Sequence, residues 1–162
     1  MEELKQAVLK QPSLLQSVSP PHCGPNYNFF LEELGIDELS SITRIIRIAP
    51  AAMGLSLSQN LRPKVAYMMK NCALDPYEVG YIITTSPQTL LLSQKSKIEP
   101  ILKFLAREMM LKEPKELGQL LLTAPRILVH SLDASLAKKM EMLTSSTSKE
   151  EAAAIVRKKP AL

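Results

Sequence analysis

Two series of prolines, kept in step along the chain, restrict this sequence more than any other feature. Pro12, Pro50, Pro87, Pro125 and Pro160 are separated by 38, 37, 38 and 35 residues, and Pro25, Pro63 and Pro100 each follow one of the first three by 13. In the fourth unit Lys138 takes the second place. A fixed period of this length marks a repeat architecture, in which each unit is one supersecondary element stacked on the next. The apolar residues keep the same register. Ala7 and Val8, Ile45 and Ile46, Ile82 and Ile83, Leu120 and Leu121, and Ile155 and Val156 stand five and four residues before the first-series prolines. Leu4, Ile42, Val79, Leu117 and Ala152 stand eight before them, and Leu15, Met53, Leu90 and Leu128 three after. Phe29 with Phe30, Tyr67 with Met68, Phe104 with Leu105, and Met142 with Leu143 follow at seventeen and eighteen.

Each unit then has a physical reading. Apolar offsets of minus eight, minus five and minus four share one face of a helix. The first-series proline withholds a backbone donor and disfavours the helical conformation in the residue before it, so the helix stops there. The Leu-rich segment that comes next, QTLLLSQ after Pro87, is too short for a full helix and predicts a single tight helical turn. Ser56, Ser93 and Ser131 are candidate N-caps for the next element. The second proline fits the first turn of another helix, where its missing N–H costs nothing. A pair such as Leu34 and Gly35 ends the unit. Acidic residues then open the following one: Asp37 and Glu38, Asp75 with Glu78, Glu113 with Glu116, and Glu150 with Glu151. They complement the positive end of a helix, and none forms a pair suited to acid–base catalysis.

A helix pair with one apolar side buries it only by stacking on neighbours. The expected fold is therefore all-α, a right- or left-handed α-solenoid of about four and a half units, forming one domain over 1–162. The units span about 1–36, 37–74, 75–111 and 112–148, with a partial unit over 149–162. Composition agrees: 46% hydrophobic and 22% charged residues, with few glycines, suit a soluble helical protein. No apolar run approaches the roughly 18 residues of a membrane span, so no membrane partner is expected. Cys23, Cys72, His22 and His130 are scattered, so no metal and no cofactor is expected. There is no nucleophile–base pairing or Gly-rich phosphate loop, and an enzyme is not expected.

Net charge is +4 and the pI is about 9.1, compatible with nucleic acid. By unit the charge runs −2, +3, 0, +1 and +2, so the second unit and the C-terminal part carry the basic character. Arg62 and Lys64 flank the second proline, and Lys138 and Lys139 occupy the matching place in the fourth unit. Lys95 and Lys97 fall just before it in the third, Arg47 and Arg157 stand three before their prolines, and Arg126 follows its own. Units stacked in register would gather such residues into a stripe that meets phosphates by Coulomb attraction and counterion release. These nine residues are the candidate nucleic-acid contacts. Without aromatic residues interleaved on the basic stretches, base stacking on single strands has little support.

The stretches IITTSPQTLLLSQKSKIEPILKFL (82–105) and RIIRIAPAAMGLSLSQNLRPKVAYMMKNCAL (44–74) resemble the mitochondrial transcription termination factor (mTERF) family. The resemblance extends over essentially the whole chain and is weakest in the first unit, where Cys23 stands in the place of Leu61, Ile98 and Leu136. It implies units of two α-helices plus a short 3₁₀ helix in a mostly left-handed superhelix. A basic concave face would bind double-stranded DNA or structured RNA. It also implies a role in organelle gene expression, such as transcription and its termination, ribosome assembly or splicing, in mitochondria or plastids, and the wording is most like plant and algal members. A targeting segment would lie outside this chain. The protein is expected to act as a monomer, and the competing expectation is a solenoid scaffold for protein partners.

Overall fold

The computed structural model describes residues 20–130 and, beyond them, residues 138, 141, 142, 145, 148 and 151. The expected first helix of unit one, Ser131, Leu136 and most of the last half-unit lie outside the described residues. Helix α1 (Pro20–Asn28) runs into a wide π turn (Phe29–Glu33). Next come α2 (Leu39–Ile48), a 3₁₀ turn (Pro50–Gly54), and a π turn (Leu57–Leu61) continuing into α3 (Arg62–Cys72). The next unit repeats this with α4 (Pro76–Thr85), a 3₁₀ turn (Pro87–Leu91), and a π turn (Gln94–Ile98) continuing into α5 (Glu99–Glu108). Helix α6 (Pro114–Thr123) and a 3₁₀ turn (Pro125–Val129) begin the fourth unit. The described residues contain no strand.

The first-series prolines act as expected. The residue before each leaves the helix in nearly the same conformation: φ −132°, ψ 60° at Ala49, φ −134°, ψ 74° at Ser86 and φ −136°, ψ 69° at Ala124. Each of these residues still donates its N–H four residues back, to Ile45, Ile82 and Leu120. The chain then tightens into the 3₁₀ turn that the Leu-rich segments predict. Ser56 and Ser93 cap the π turns after it, accepting from the N–H groups of Gln59 (3.2 Å) and Ser96 (3.4 Å).

The second-series prolines sit in the first turn of their α-helices, as expected, Pro63 in α3 and Pro100 in α5. What the sequence does not show is a wide turn, opened at the serine cap, that runs into each of these helices. In that turn the bonds span five residues: Leu61 donates to Ser56 and Ile98 to Ser93, and Arg62 and Glu99 then donate to Leu57 and Gln94. The last of these wide bonds comes immediately before Pro63 or Pro100, where the ladder narrows to the α register. The proline's missing donor therefore falls at the change of register, and the carbonyls nearest the gap belong to exposed residues, Ser58 and Gln59, or Lys95 and Ser96.

The acidic starts of α4 and α6 are reciprocal caps, whereas Glu38 before α2 makes no cap bond. Glu78 donates its N–H to Asp75 (2.8 Å) while its carboxylate accepts from the Asp75 N–H (2.9 Å). The Glu116 carboxylate accepts from Lys112 and Glu113, and Ser148 and Glu151 exchange the same two bonds in the next unit.

Successive first helices (α2, α4, α6) pack side by side, as do the 3₁₀ turns, while α3 lies across both α4 and α6. Offsets identified as apolar in the sequence fill the core: Ile45, Ile82, Leu61, Ile98, Met68, Leu105, Leu90 and Leu128 are all buried. The crossing of α3 over α6 is so close that a Cβ at Gly118 would overlap the Cys72 carbonyl, and one at Gly80 would overlap that of Leu34. Each unit closes on a left-handed residue, Gly35 (φ 62°), Ala73 (φ 49°) and Met110 (φ 52°), at matching offsets.

Urea titrations check two consequences of this packing. Gly80→Ala or Gly118→Ala lowers the unfolding free energy by about 1–3 kcal/mol, because the carbonyl cannot give way without moving a helix. Ala73→Gly raises it by about 0.5–1 kcal/mol, since the exposed alanine carries left-handed strain that glycine lacks.

Candidate nucleic-acid interface

The described basic residues divide by layer. On the second helices, three cations are matched by carboxylates, while exposed Lys70 near the end of α3 is in no ion pair among the described residues. The Arg62 guanidinium grips Glu33 with two bonds, 2.5 and 3.3 Å, Lys103 meets Glu99 at 2.6 Å, and Arg107 meets Glu108 at 2.8 Å while lying 5.9 Å from the Phe104 ring centre. Hydrogen bonds to Glu33 and Glu99 raise the pKa values of Arg62 and Lys103. Their charge is thus largely cancelled locally. Lys95 and Lys97 are exposed on the π turn that opens α5.

The first-helix layer has a different balance. Arg44 and Arg47 lie on α2 and, with Leu39, Ser40 and Thr43, line a shallow open depression. Lys115 is exposed at the start of α6 and Arg126 just past its end. Among the described residues, no carboxylate forms an ion pair with Arg44, Lys115 or Arg126. Arg44 reaches across to the Thr85 carbonyl at the end of α4 (3.5 Å), and its buried Nε has no partner. The acids of this layer, Asp75, Glu78, Glu113 and Glu116, gather at the helix starts, where backbone N–H groups engage Asp75, Glu78 and Glu116. The layer therefore has a mainly acidic rim along the helix starts, broken by Lys115, and carries Arg47 and Arg126 toward the helix ends.

The nine sequence-derived candidates fare unequally. Arg47, Arg126 and Lys138 are exposed, while Lys139 and Arg157 lie outside the described residues. Arg62 is exposed but neutralised by Glu33. Lys64 is a correction: only 4% exposed, it donates from Nζ to the Leu90 carbonyl and to Asn60 Oδ1 (3.0 Å). It joins its own unit to the 3₁₀ turn of the next and faces no solvent. Asn26, at the same offset one unit earlier, does the same work, donating to the carbonyls of Met53 and Leu55 at 2.9 Å. In the third unit that offset holds buried Ile101. Burial of Lys64 removes it from the stripe expected from the sequence. Arg44 and Lys115 escaped the sequence reading; Arg44, three residues before Arg47 on the same helix, is the signal that would have found the first of them. Cys72 is buried, with its thiol pushed up to about 12 by burial, and it fills the helix end occupied elsewhere by Leu34 and Met109.

The mTERF family model matches residues 1–114, taking in both stretches that carry the repeat most clearly. This chain belongs to the mTERF family. No solved structure matches it. Membership accounts for the all-helical repeat organisation, and mTERF proteins are helical-repeat, nucleic-acid-binding regulators, typically organellar. No helix among the described residues of this mTERF chain is long and apolar enough to cross a membrane.

Burial lowers the Lys64 pKa from 10.5 to about 8. Between those values the unfolded chain binds the extra proton, so the Lys64 contribution makes stability rise with pH across this window and leaves it level below. In denaturant titrations at pH 7.5 and 10, Lys64→Met abolishes that part of the rise.

Proposed function

We propose that this mTERF protein binds nucleic acid across its first-helix layer and regulates organelle gene expression, in a mitochondrion or plastid of the plant and algal type. The observation that carries this reading is the difference in charge compensation. Arg62, Lys103 and Arg107 on the second helices are each met by a carboxylate and Lys70 is the exception there, whereas Arg44, Lys115 and Arg126 on the first-helix layer are all in no ion pair among the described residues. Cations in no ion pair among the described residues suit an exchange of counterions for phosphates. Arginine at three of the positions, counting Arg47, suits forked contacts to phosphate oxygens or base edges.

First helices touch one another directly, while the second helix α3 packs on both α4 and α6. In this reading the first-helix layer is the concave face of a left-handed superhelix, the arrangement that family membership suggests. The protein acts there as a monomer on double-stranded DNA or structured RNA, without a catalytic step. A scaffold for protein partners would have no need of that uncompensated charge.

The test is a fluorescence-anisotropy series against duplex DNA, single strands and RNA at several salt concentrations. Affinity falls steeply as salt rises, by a power of about 0.7–0.9 per phosphate contacted. Joint Arg47→Glu, Lys115→Glu and Arg126→Glu substitutions reduce affinity at least about tenfold and flatten the salt dependence. Lys103→Glu, on the other layer, leaves binding within about twofold. Binding indifferent to salt and to the triple substitution overturns the reading.

A further inference from the structure

The first-helix layer exposes two tyrosines that the phosphate reading does not use. Tyr77 is 70% exposed and Tyr81 53% exposed, one turn apart on α4, the middle of the three packed first helices. Two exposed rings on one helix face offer flat apolar surface with polar ends in water. Tyr77 is nonetheless held in place. Its ring lies so close against Gly35 that a Cβ there would overlap Cδ1 and Cε1, so a left-handed glycine backs one side of the ring and leaves the rest open.

Their neighbours are placed by the repeat. Offsets ten and six before the first-series proline hold Ser40 and Arg44 on α2, Tyr77 and Tyr81 on α4, and Lys115 and Gln119 on α6. Each tyrosine thus shares a row with a cation on a flanking helix, Tyr77 with Lys115 and Tyr81 with Arg44. The link from Arg44 to the Thr85 carbonyl, four residues beyond Tyr81, brings its guanidinium to that same side of α4.

Building on the nucleic-acid reading, we infer that Tyr77 and Tyr81 are a stacking platform for the unpaired bases of a single-stranded segment, whose backbone is held by the cations of the neighbouring helices. Packed helices lie about 8–10 Å apart, whereas bases in a stacked strand rise about 3.4 Å. A duplex keeps its base faces stacked inside and offers none to an exposed ring. A strand with splayed bases places faces on the tyrosines and phosphates on the adjacent rows, the arrangement by which helical repeats and aromatic platforms take RNA. The pairs of side chains at the two offsets, Ser40 with Arg44, Tyr77 with Tyr81, and Lys115 with Gln119, then differ from unit to unit in what they offer a base, and they set the preference of each position along the strand.

The experiment compares a 15-nucleotide oligo(A) RNA, its DNA counterpart, and the oligo(dA)·oligo(dT) duplex of the same length, by fluorescence anisotropy at fixed salt. Tyr81→Ala and Tyr77→Ala each weaken binding of the single strands roughly tenfold and leave duplex affinity and the salt slope unchanged. Tyr81→Phe retains binding, because the ring and not the hydroxyl stacks. Both side chains are exposed, and an unchanged thermal midpoint for each variant shows that the fold is intact. RNA bound more tightly than the matching DNA assigns the strand to RNA, and equal binding leaves single-strand stacking as the shared chemistry; both support the inference. Single-strand binding that is insensitive to both tyrosine substitutions, or duplex binding that falls as much as single-strand binding, overturns it. Absence of binding to every probe overturns the nucleic-acid reading as well.

Discussion

Backbone packed directly on backbone sets the geometry of this protein. The end of one second helix rests its carbonyl against the first helix two units on, through Gly80 for Leu34 and through Gly118 for Cys72. No side chain separates the elements there, so the distance between units is fixed by the van der Waals radii of main-chain atoms. Everything above that contact inherits its spacing: the rows of equivalent offsets across α2, α4 and α6, the reach of Arg44 to Thr85, and the bonds that Asn26 and Lys64 make into the next unit. A repeat protein presents regular rows only if its units sit at a regular distance, and here the glycines set it.

Much of this was legible in the chain itself, for a physical reason. Core offsets such as Ile45, Ile82, Leu61 and Ile98 obey the helical period because burial of apolar surface is non-directional and reads out as pattern alone. Helix ends were legible because proline acts locally on the preceding residue. The wide turns before Pro63 and Pro100 were not, since a bond that spans five residues instead of four leaves no mark in the side chains. Lys64 misled for a different reason. A lysine beside a proline at a helix start looks solvated, and its burial depends on the Leu90 carbonyl 26 residues away. Arg62 likewise finds Glu33 29 residues earlier. Candidate functional residues were misjudged wherever the deciding partner sat in a neighbouring unit, because sequence offsets identify equivalent positions and do not reveal what those positions face.

The division of charge between the layers illustrates how one scaffold holds two surfaces of different character. Both layers carry arginine and lysine, and counting them does not distinguish the two. What differs is the placement of carboxylates, beside Arg62, Lys103 and Arg107 on the second helices and gathered at the helix starts on the first. A carboxylate that accepts backbone N–H bonds at a helix start is held away from the helix's far end, so capping both starts the helix and clears acid from half of the face.

The joints between units are not alike in kind. Asn26 and Lys64 make the first two joints partly polar, while buried Ile101 makes the third wholly apolar at that place. Burial of hydrocarbon carries a large heat-capacity change and loses strength on cooling, whereas hydrogen bonds do not weaken in that way. In an array of stacked units, cold therefore acts unevenly. At that place it weakens the third joint more than the first two, while the Cys72 carbonyl resting on Gly118, from the second unit to the fourth, still ties the array together.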